Sequence, residues 1–552
     1  MLLTEPIRGE PNKPVLPTML NPLPQESWSR RNATHLLQRA GYGGSPEEQE
    51  AFYQLGKEQG IEAAVDSLLE TSEDWSSLPW PDWMQSEVDP NGETFGNQGV
   101  RRREYVRWYF KVLLSSQPLA SKLLKFFIDH FAVDSATVGQ YYRWIGMFRY
   151  TETLRRHAAG NLAGEDAPFE GDERLVPPGH YGNFKTLVNH VSWSLGMIRT
   201  LDLYQSNRGN VNENFGRELL ELFAMGIGDE YSDDPEYTEE DVAVAADAFT
   251  GRKFYNFRYF PDENRYNNPA GNQNPPLPPA SVWQNRGSQD RNTKGPFYGY
   301  ETTPEGNPII DGDDIIDVIF DTDRCAKHLS WKLWRYFASP KPSKELVAAL
   351  ASKLRDDHGY EIRPFLKDLF LSEEFYDESV VNAQIKDAGD YFVCLANQLG
   401  VTLPTRDAME DVMQQLGYEV HFPPSIAGWP EPEGPGNTWL ATGAMVFRMN
   451  MPSVFTHHNY EVFTTGRTRN SMDDFPDVDW NVIAPKELRR IEKFPLLLEN
   501  LRQRFIPNRE LRKSQVRTLL DRYSSVSDEL GELEGVRELV RLVLALPEYQ
   551  TQ

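Results

Sequence analysis

Apolar residues recur every three or four positions through most of the chain, which is the spacing of one face of an α-helix. This rhythm is clear in RRNATHLLQRAGYG, in PLASKLLKFFIDHFAV and in FKTLVNHVSWSLGMIRT. It continues from Asp313 to about Gly400, and it returns over about 485–548. We therefore predict a mainly α fold, built as a large multi-helix assembly.

Helix-boundary residues agree with this pattern. Ser45 precedes Pro46 and a run of acids, which predicts an N-cap followed by a first helical turn. Thr238 and Asp241 have the spacing of a capping box in YTEEDVAVAADAFTG. Capping therefore explains these polar residues without chemistry.

Less regular stretches divide the helical pattern. KFYNFRYF alternates weakly, and we predict that it pairs with GPFYGYE in a small β-hairpin insertion around 252–300. A loop as long as 252–310 inside a globular protein is typically a lid or an insertion. The predicted organisation is an extended N-terminal arm at 1–26, a helical core domain at 27–455 that carries this insertion, an irregular connection at 456–484, and a C-terminal helical segment at 485–552 that packs on the core.

Composition limits the classes of protein that remain. Of the 552 residues, 39% are hydrophobic and 12% aromatic, which is enough for a sizeable core and argues against global disorder. The net charge of −25 repels phosphate backbones, so we expect no nucleic-acid partner. Cys325 and Cys394 are the two cysteines, too few for a disulfide framework or a cysteine-rich zinc site.

The sequence gives no sign of membrane insertion. Apolar runs are all shorter than a membrane span. Residues 1–25 contain prolines and acids where a signal peptide has a continuous apolar stretch. We therefore predict a cytoplasmic protein, with a protein partner as an open possibility and an unknown ligand.

Several stretches between about residues 30 and 550 carry a further signal. They are THLLQRAGYG, KFFIDHFAV, NVNENFGRELLELFAMGIGDEY with YTEEDVAVAADAFTGRKF, QDRNTKGPFYG, PPSIAGWPEPEGPGNTWL and LPEYQ. Together they resemble the bacterial family known as domain of unknown function 1800, although Gln289 stands where that family often has histidine. The resemblance implies a mainly helical fold and implies no established activity.

The densest polar cluster lies in NENFGRELLELF. On a helix, Arg217, Glu218 and Glu221 share a polar side, and Arg217 is four residues from both Glu213 and Glu221. One interpretation is a helix start capped by Asn212, where Arg217 neutralises two glutamates. The other interpretation is that Glu218 and Glu221 bind a divalent metal ion or act as an acid/base pair.

His130 lies on the apolar face of PLASKLLKFFIDHFAVD, and Asp134 follows it by four residues. A buried histidine needs a hydrogen-bond partner, which Asp134 could supply. His130 is therefore either a satisfied core histidine or a metal ligand or general base. The catalytic interpretation groups His130 with three carboxylates: Glu218, Glu221 and Asp290.

Two loops supply further candidates. Asp290 and Lys294 lie at the end of the long insertion, where they form either a turn or a charged pair on a lid over the helical core. Trp429 and Trp439 border GWPEPEGPGNTW, where they clamp the loop to the core or stack on a sugar or a peptide. The predicted substrate-binding residues are Arg217, Lys294, Trp429 and Trp439.

Common catalytic signatures are missing from the sequence. It contains no Gly–x–Gly–x–x–Gly after a strand, no phosphate-binding lysine loop, no Gly–x–Ser–x–Gly elbow and no His–Glu–x–x–His helix. We therefore predict a non-catalytic scaffold or partner-binding protein, in which the polar residues form a buried network that fixes helix register. The alternative is a metal-assisted hydrolase that uses Glu218, Glu221 and His130 around a divalent metal ion.

Overall fold

Helices make up most of the fold, which confirms the mainly α prediction. The computed structural model describes residues 19–70, 98–115, 117–138, 143–160, 181–254, 282–285, 287–429, 439, 441–459 and 475–552. The predicted arm at 1–26 therefore falls outside the described residues up to position 18. Residues 255–281 of the insertion and residues 460–474 of the irregular connection also fall outside them.

The first half of the chain contributes the first set of helices in the described residues. They are α1 (Arg30–Ala40), α2 (Pro46–Gln59), α3 (Ile61–Leu69), α4 (Gln98–Leu113), α5 (Pro118–His130), α6 (Arg143–Ala159), α7 (Phe184–Ser192), α8 (Leu195–Thr200), α9 (Asn214–Glu218) and α10 (Glu239–Ala248). A π-helix, Leu219–Ala224, continues directly from α9. This wider turn leaves some backbone carbonyls available to side chains.

The second half of the chain adds the remaining helices. They are α11 (Gly312–Asp321), α12 (Asp323–Phe337), α13 (Lys344–Ser352), α14 (Ile362–Leu371), α15 (Ala388–Leu399), α16 (Arg406–Leu416), α17 (Thr442–Asn450), α18 (Pro452–His457), α19 (Trp480–Ile483), α20 (Phe494–Phe505), α21 (Lys513–Leu530) and α22 (Glu532–Leu544). Across the ranges that the structure describes, no helix is long and apolar enough to cross a membrane.

Both predicted helix starts are confirmed in atomic detail. The Ser45 hydroxyl accepts the Glu48 backbone N–H at 3.2 Å, and the Glu48 carboxylate accepts the Ser45 N–H at 2.7 Å. Thr238 and Asp241 form the same reciprocal pair at the start of α10. Each box satisfies two backbone donors that the helix itself leaves unpaired.

The predicted β-hairpin is correct for its first strand and wrong for its partner. β1 (Arg252–Phe254) pairs antiparallel with β2 (Val282–Gln284). The expected partner GPFYGYE instead folds on itself, because Phe297 and Tyr300 exchange both backbone hydrogen bonds across a two-residue turn. This local turn uses the backbone N–H and C=O groups of Phe297 and Tyr300 that pairing with β1 would have required.

Helix α5 occupies the middle of a connected apolar core that extends from Trp28 to Tyr549. It packs against α1, α3, α4 and α6. Its residues are buried on all sides from Leu119 to Ile128, and this stretch includes Lys122 and Lys125. Two lysines in such a place require charged partners, since an unpaired buried ammonium is very costly.

Candidate functional site

A cavity of about 130 Å³ lies beside the C-terminal half of α5. Its walls come from α5, from α12, from the segment that leads into α15, from the loop that ends at Trp429, and from Trp439 and Gln552. Ala427 on the wall is exposed, and Lys332 and Arg335 are half-buried. The cavity therefore reaches the protein surface.

The floor of the cavity is a buried ion-pair network. Lys122 Nζ lies 2.6 Å from Asp390 Oδ2, and Lys125 Nζ lies 3.2 Å from Asp390 Oδ1. Lys125 also bonds to Asp387, which caps α15 through the backbone N–H of Asp390. The Gln552 amide donates to Asp390 at 2.6 Å, so residues more than four hundred positions apart meet at one carboxylate.

The network favours the charged forms of Asp390 and Lys125. Burial alone would raise the pKa of Asp390, but Lys122 and Lys125 outweigh burial and hold that pKa below its usual range. Burial would likewise lower the pKa of Lys125, yet Asp387 and Asp390 raise it above its usual value. The lining thus carries fixed charges of both signs in a poorly solvated place, where each interaction is stronger than in water.

Asp129 on α5 is half-buried and lines the cavity. Its Oδ1 accepts the backbone N–H of Trp429 at 2.9 Å. Burial raises the pKa of Asp129 to about 6, and the Trp429 N–H only partly opposes this effect. Asp129 can therefore gain or lose a proton close to neutral pH, which ordinary aspartates do not.

Gly428 allows the close contact between the loop and Asp129. Its φ is +87°, and a Cβ at this position would lie 2.5 Å from Asp129 Oδ1 and 2.6 Å from the Asp129 carbonyl oxygen. An added methyl group would therefore clash with atoms that cannot easily move. The position combines a backbone conformation and a contact distance that both favour glycine.

We expect Gly428→Ala to lower the free energy of unfolding by about 2–4 kcal/mol, because strain and steric clash add. The matched control is Gly417→Ala, where φ is +74° and nothing lies within 4 Å of the added Cβ. The control should cost only about 1 kcal/mol, the strain of a left-handed residue. Urea denaturation measures both, and equal losses would contradict the close contact with Asp129.

His130 is buried, with 4% of its surface exposed, and it lines the cavity. Its Nε2–H donates to the Phe223 carbonyl of the π-helix at 2.9 Å. Asp134, the partner expected from helical spacing, instead accepts the Ala136 N–H in its own turn. That expectation was wrong because α5 ends at His130 and the helical spacing does not continue to Asp134.

The second ring nitrogen of His130 has no hydrogen-bond partner within the described part of the chain. Because Nε2 carries the proton, Nδ1 presents a buried lone pair. Burial, and secondarily the charge of Lys332, lower the pKa of His130 well below its usual value. The imidazole therefore stays neutral, and its Nδ1 remains an acceptor.

A second histidine makes the equivalent contact without lining the cavity. His328 Nε2 donates to the Leu222 carbonyl at 3.2 Å, one residue before the carbonyl that His130 uses. Burial lowers the pKa of His328 to about 3. The two rings are 6.5 Å apart. His328 thus provides a natural comparison for the role of His130.

The predicted glutamate pair lies outside this cavity lining. Arg217 pairs with Glu213 at 3.3 Å and with Glu239 at 2.7 Å, where helical spacing had predicted Glu221 as the second partner. Glu218 is half-buried, and burial together with the Glu221 charge raises its pKa. The fold therefore separates the two carboxylates from the cavity that His130 lines.

Asp290 and Lys294 form an ion pair at 3.3 Å, also outside the cavity lining. The Asp290 carboxylate accepts the Asn292 N–H, and this bond and Lys294 lower its pKa. The Lys294 backbone N–H donates to the Ile309 carbonyl. These contacts are those of a stabilised turn, the simpler of the two interpretations of this loop.

Trp429 and Trp439 both line the cavity. Tyr418 lies between them and the core, with ring centroids 4.8 Å from Trp429 and 6.1 Å from Trp439. Both tryptophans are buried, with 7% and 2% of their surfaces exposed. They therefore clamp the loop and form a wall of the cavity at once.

The ranges of the chain that the structure describes contain no cluster of metal-binding side chains. No three His, Cys, Asp or Glu side chains in those ranges are grouped so as to hold a metal ion. Lys125 and Lys332 also line the cavity, and the charge of Lys332 adds to burial in lowering the pKa of His130. Positive neighbours oppose the binding of a cation at this imidazole.

A family model described as protein of unknown function (DUF1800) matches residues 35–551. The chain belongs to the DUF1800 family. The resemblance predicted from the short stretches is therefore confirmed, and the match spans nearly all of the cavity lining. No curated protein and no solved structure matches the chain.

Sequence reasoning missed the charged residues that line the cavity in this DUF1800 protein. Lys122, Lys125 and Asp129 follow a helical spacing along α5, and a polar stripe on so apolar a helix was a usable signal. Asp387 resembles an ordinary helix cap, so nothing local distinguishes it. Lys332 has the appearance of a residue on a solvated helix face.

Proposed function

We propose that this chain is a binding protein whose cavity holds a small polar molecule. The observation that carries the proposal is the cavity of about 130 Å³ that reaches the surface and combines aromatic rings with charged side chains and His130 in its lining. Pockets that bind small molecules are typically lined by apolar and aromatic side chains with a few polar groups. A small molecule with polar substituents would contact both kinds of group.

The buried ion-pair network bears on how the cavity keeps its shape. Replacing a buried ion pair by apolar residues is often neutral or stabilising, so such a pair is weak evidence for stability alone. In this chain Lys122, Lys125, Asp387 and Asp390 tie α5 to the start of α15. We infer that the network fixes the register of these helices and so keeps the cavity in shape.

Metal-assisted hydrolysis by Glu218, Glu221 and His130 is the alternative function. One observation favours it: burial, and secondarily the charge of Glu221, raise the pKa of Glu218, and a cation would relieve the repulsion between the two carboxylates. Metal analysis of the purified protein and of Glu218→Gln tests it. A stoichiometric divalent ion that disappears in Glu218→Gln would favour hydrolysis over binding.

Ligand binding is tested with a panel of monosaccharides, sugar acids, hydroxy acids and amino acids. We expect at least one class to raise the melting temperature of the protein, since a ligand that binds only the folded state stabilises it. His130→Phe should abolish this increase. It should also cost about 1–3 kcal/mol of stability, because the Phe223 carbonyl loses its donor.

His328→Phe is the matched control for this experiment. It removes the equivalent bond to the Leu222 carbonyl, so its cost in stability should be similar. His328 does not line the cavity, and the ligand-induced increase in melting temperature should persist. Loss of the increase in both variants, or no increase with any member of the panel, would reject the cavity as a binding site.

A further inference from the structure

Asp129 offers a ligand in the cavity one unused hydrogen-bond acceptor. Its Oδ1 accepts the Trp429 backbone N–H, whereas its Oδ2 forms no hydrogen bond or ion pair with the described residues. Asp129 is half-buried, so part of its surface stays open, and it lines the cavity. A hydrogen-bond donor on the ligand would satisfy this oxygen.

Gln384 and Trp429 each add a further polar group to the lining. The Gln384 amide donates to the Arg335 carbonyl through Nε2, and its Oε1 has no hydrogen bond within the described ranges. The Trp429 indole N–H likewise has no partner among the residues that the structure describes. With Asp129 Oδ2, these groups make two acceptors and one donor. A hydroxyl group both donates and accepts, so a ring with several hydroxyls can meet all three.

The charges of the lining favour a neutral ligand. Three cationic and three carboxylate side chains balance each other, and they are Lys125, Lys332, Arg335, Asp129, Asp387 and Asp390. Lys125 pairs with both Asp387 and Asp390, and Lys332 and Arg335 also have interactions of their own. A ligand carboxylate would therefore have to displace existing contacts. A ligand ammonium at Asp129 would lie one helical turn from Lys125, which would repel it.

The size and the aromatic walls of the cavity favour a single ring. At about 130 Å³, the cavity is slightly smaller than an engineered cavity of about 150 Å³ that takes benzene. Disaccharides therefore exceed the enclosed part. Phe126, Tyr418, Trp429 and Trp439 line the cavity, and such rings pack well on the C–H faces of a saturated ring.

We propose that the cavity binds a neutral monosaccharide, one hydroxyl of which donates to Asp129 Oδ2 while others meet Gln384 Oε1 and the Trp429 indole N–H. This assignment rests on the proposed binding function and names the class of its ligand. The aromatic walls pack on the C–H faces of the sugar ring. Asp129 is the residue that distinguishes a hydroxylated ring from an apolar one of the same size.

The test is calorimetric titration with D-glucose, D-galactose and D-mannose, followed by the uronate and the amino sugar that correspond to the best binder. At least one neutral sugar should bind, and it should bind about tenfold or more tightly than its two charged derivatives, which meet like charges in the lining. Asp129→Asn keeps the shape of the side chain but can replace Oδ2 by an amide nitrogen that accepts no hydrogen bond. It should weaken binding of the neutral sugar by about tenfold or more, since a hydrogen bond to a charged group is lost.

Asp134→Asn is the matched control, because the Asp134 carboxylate also accepts a backbone N–H, that of Ala136, but lies outside the cavity lining. It should leave the affinity unchanged. Gln384→Met is a second variant that keeps the test available if Asp129→Asn does not fold, and it should weaken binding by about fivefold.

Three results would overturn the monosaccharide assignment. They are no binding of any of the neutral sugars, equal binding of a charged derivative, and an unchanged affinity in a folded Asp129→Asn variant. If another class in the panel still gives an increase in melting temperature that depends on His130, the binding function survives that result.

Discussion

Replacing Asp390 by asparagine is expected to lower the free energy of unfolding by about 3–5 kcal/mol, the cost of leaving buried charges without their partner. Asparagine has nearly the same shape but cannot neutralise Lys122, whose side chain is 2% exposed. Lys125 would keep Asp387 as a partner. Urea denaturation followed by tryptophan fluorescence measures the loss.

Asp233→Asn is the matched control for Asp390→Asn. Asp233 pairs with Lys344 at 2.6 Å, the same distance as Lys122 to Asp390, but its side chain is 86% exposed. Removing this exposed pair should cost less than about 1 kcal/mol. The double variant Lys122→Met/Asp390→Leu should recover part of the loss. A cost for Asp390→Asn no larger than that of the control would contradict a buried, ionised network.

The protein is expected to lose stability steeply as pH falls from about 6.5. Burial lowers the pKa of His35, His328 and His421 to about 3, and that of His130 well below its usual value. Below the usual histidine pKa of about 6.5, these histidines bind protons in the unfolded chain but not in the folded protein. At pH 5, His35, His328 and His421 should therefore each lower the free energy of unfolding by about 2 kcal/mol, or by about 6 kcal/mol together.

Protonation of Asp129 has the opposite effect on stability. Its pKa of about 6 lies above the usual value, so protonation favours the folded state and should raise the free energy of unfolding by about 1 kcal/mol at pH 5. The net effect remains a loss. Equilibrium unfolding in urea at several pH values between 7 and 4.5 measures the slope.

Single variants separate the histidines from general acid effects. His421→Asn removes one titrating group and tolerates the positive φ of 58° at this position. The slope of stability against pH should decrease by about 1.4 kcal/mol per pH unit, the contribution of one proton. Tyr105→Phe removes a hydroxyl that contacts His421 but removes no histidine, so its slope should match that of the native protein. An unchanged slope in His421→Asn would exclude His421 as a cause of the loss of stability at acidic pH.

The helices were predictable because their signals are local. The apolar rhythm and the capping residues Ser45 and Thr238 lie within the segments that they specify. The partner of β1 was not predictable in this way. β1 pairs with Val282–Gln284, whereas GPFYGYE satisfies its own backbone groups in a turn. Which of the two segments pairs with β1 depends on the three-dimensional context and not on local sequence.

The cavity was only partly predictable for the same reason. His130, Trp429 and Trp439 were singled out as a buried imidazole and aromatic residues in a loop, and all three line it. Asp390 was missed because its role depends on lysines that lie more than 260 positions earlier. Glu218 attracted interest through neighbours in its own helix, yet helix neighbours do not determine which surface a side chain reaches.

The cavity wall joins positions 125 and 552, and the contacts of Lys125 with Asp387 and of Asp129 with Trp429 span 262 and 300 positions of the chain. Loops of this length close late in folding, after local helices have formed. Occupancy of the cavity by a ligand would therefore report completion of the tertiary structure. We expect a nascent or proteolytically nicked chain to keep much of the helical circular-dichroism signal but to fail to bind the ligand.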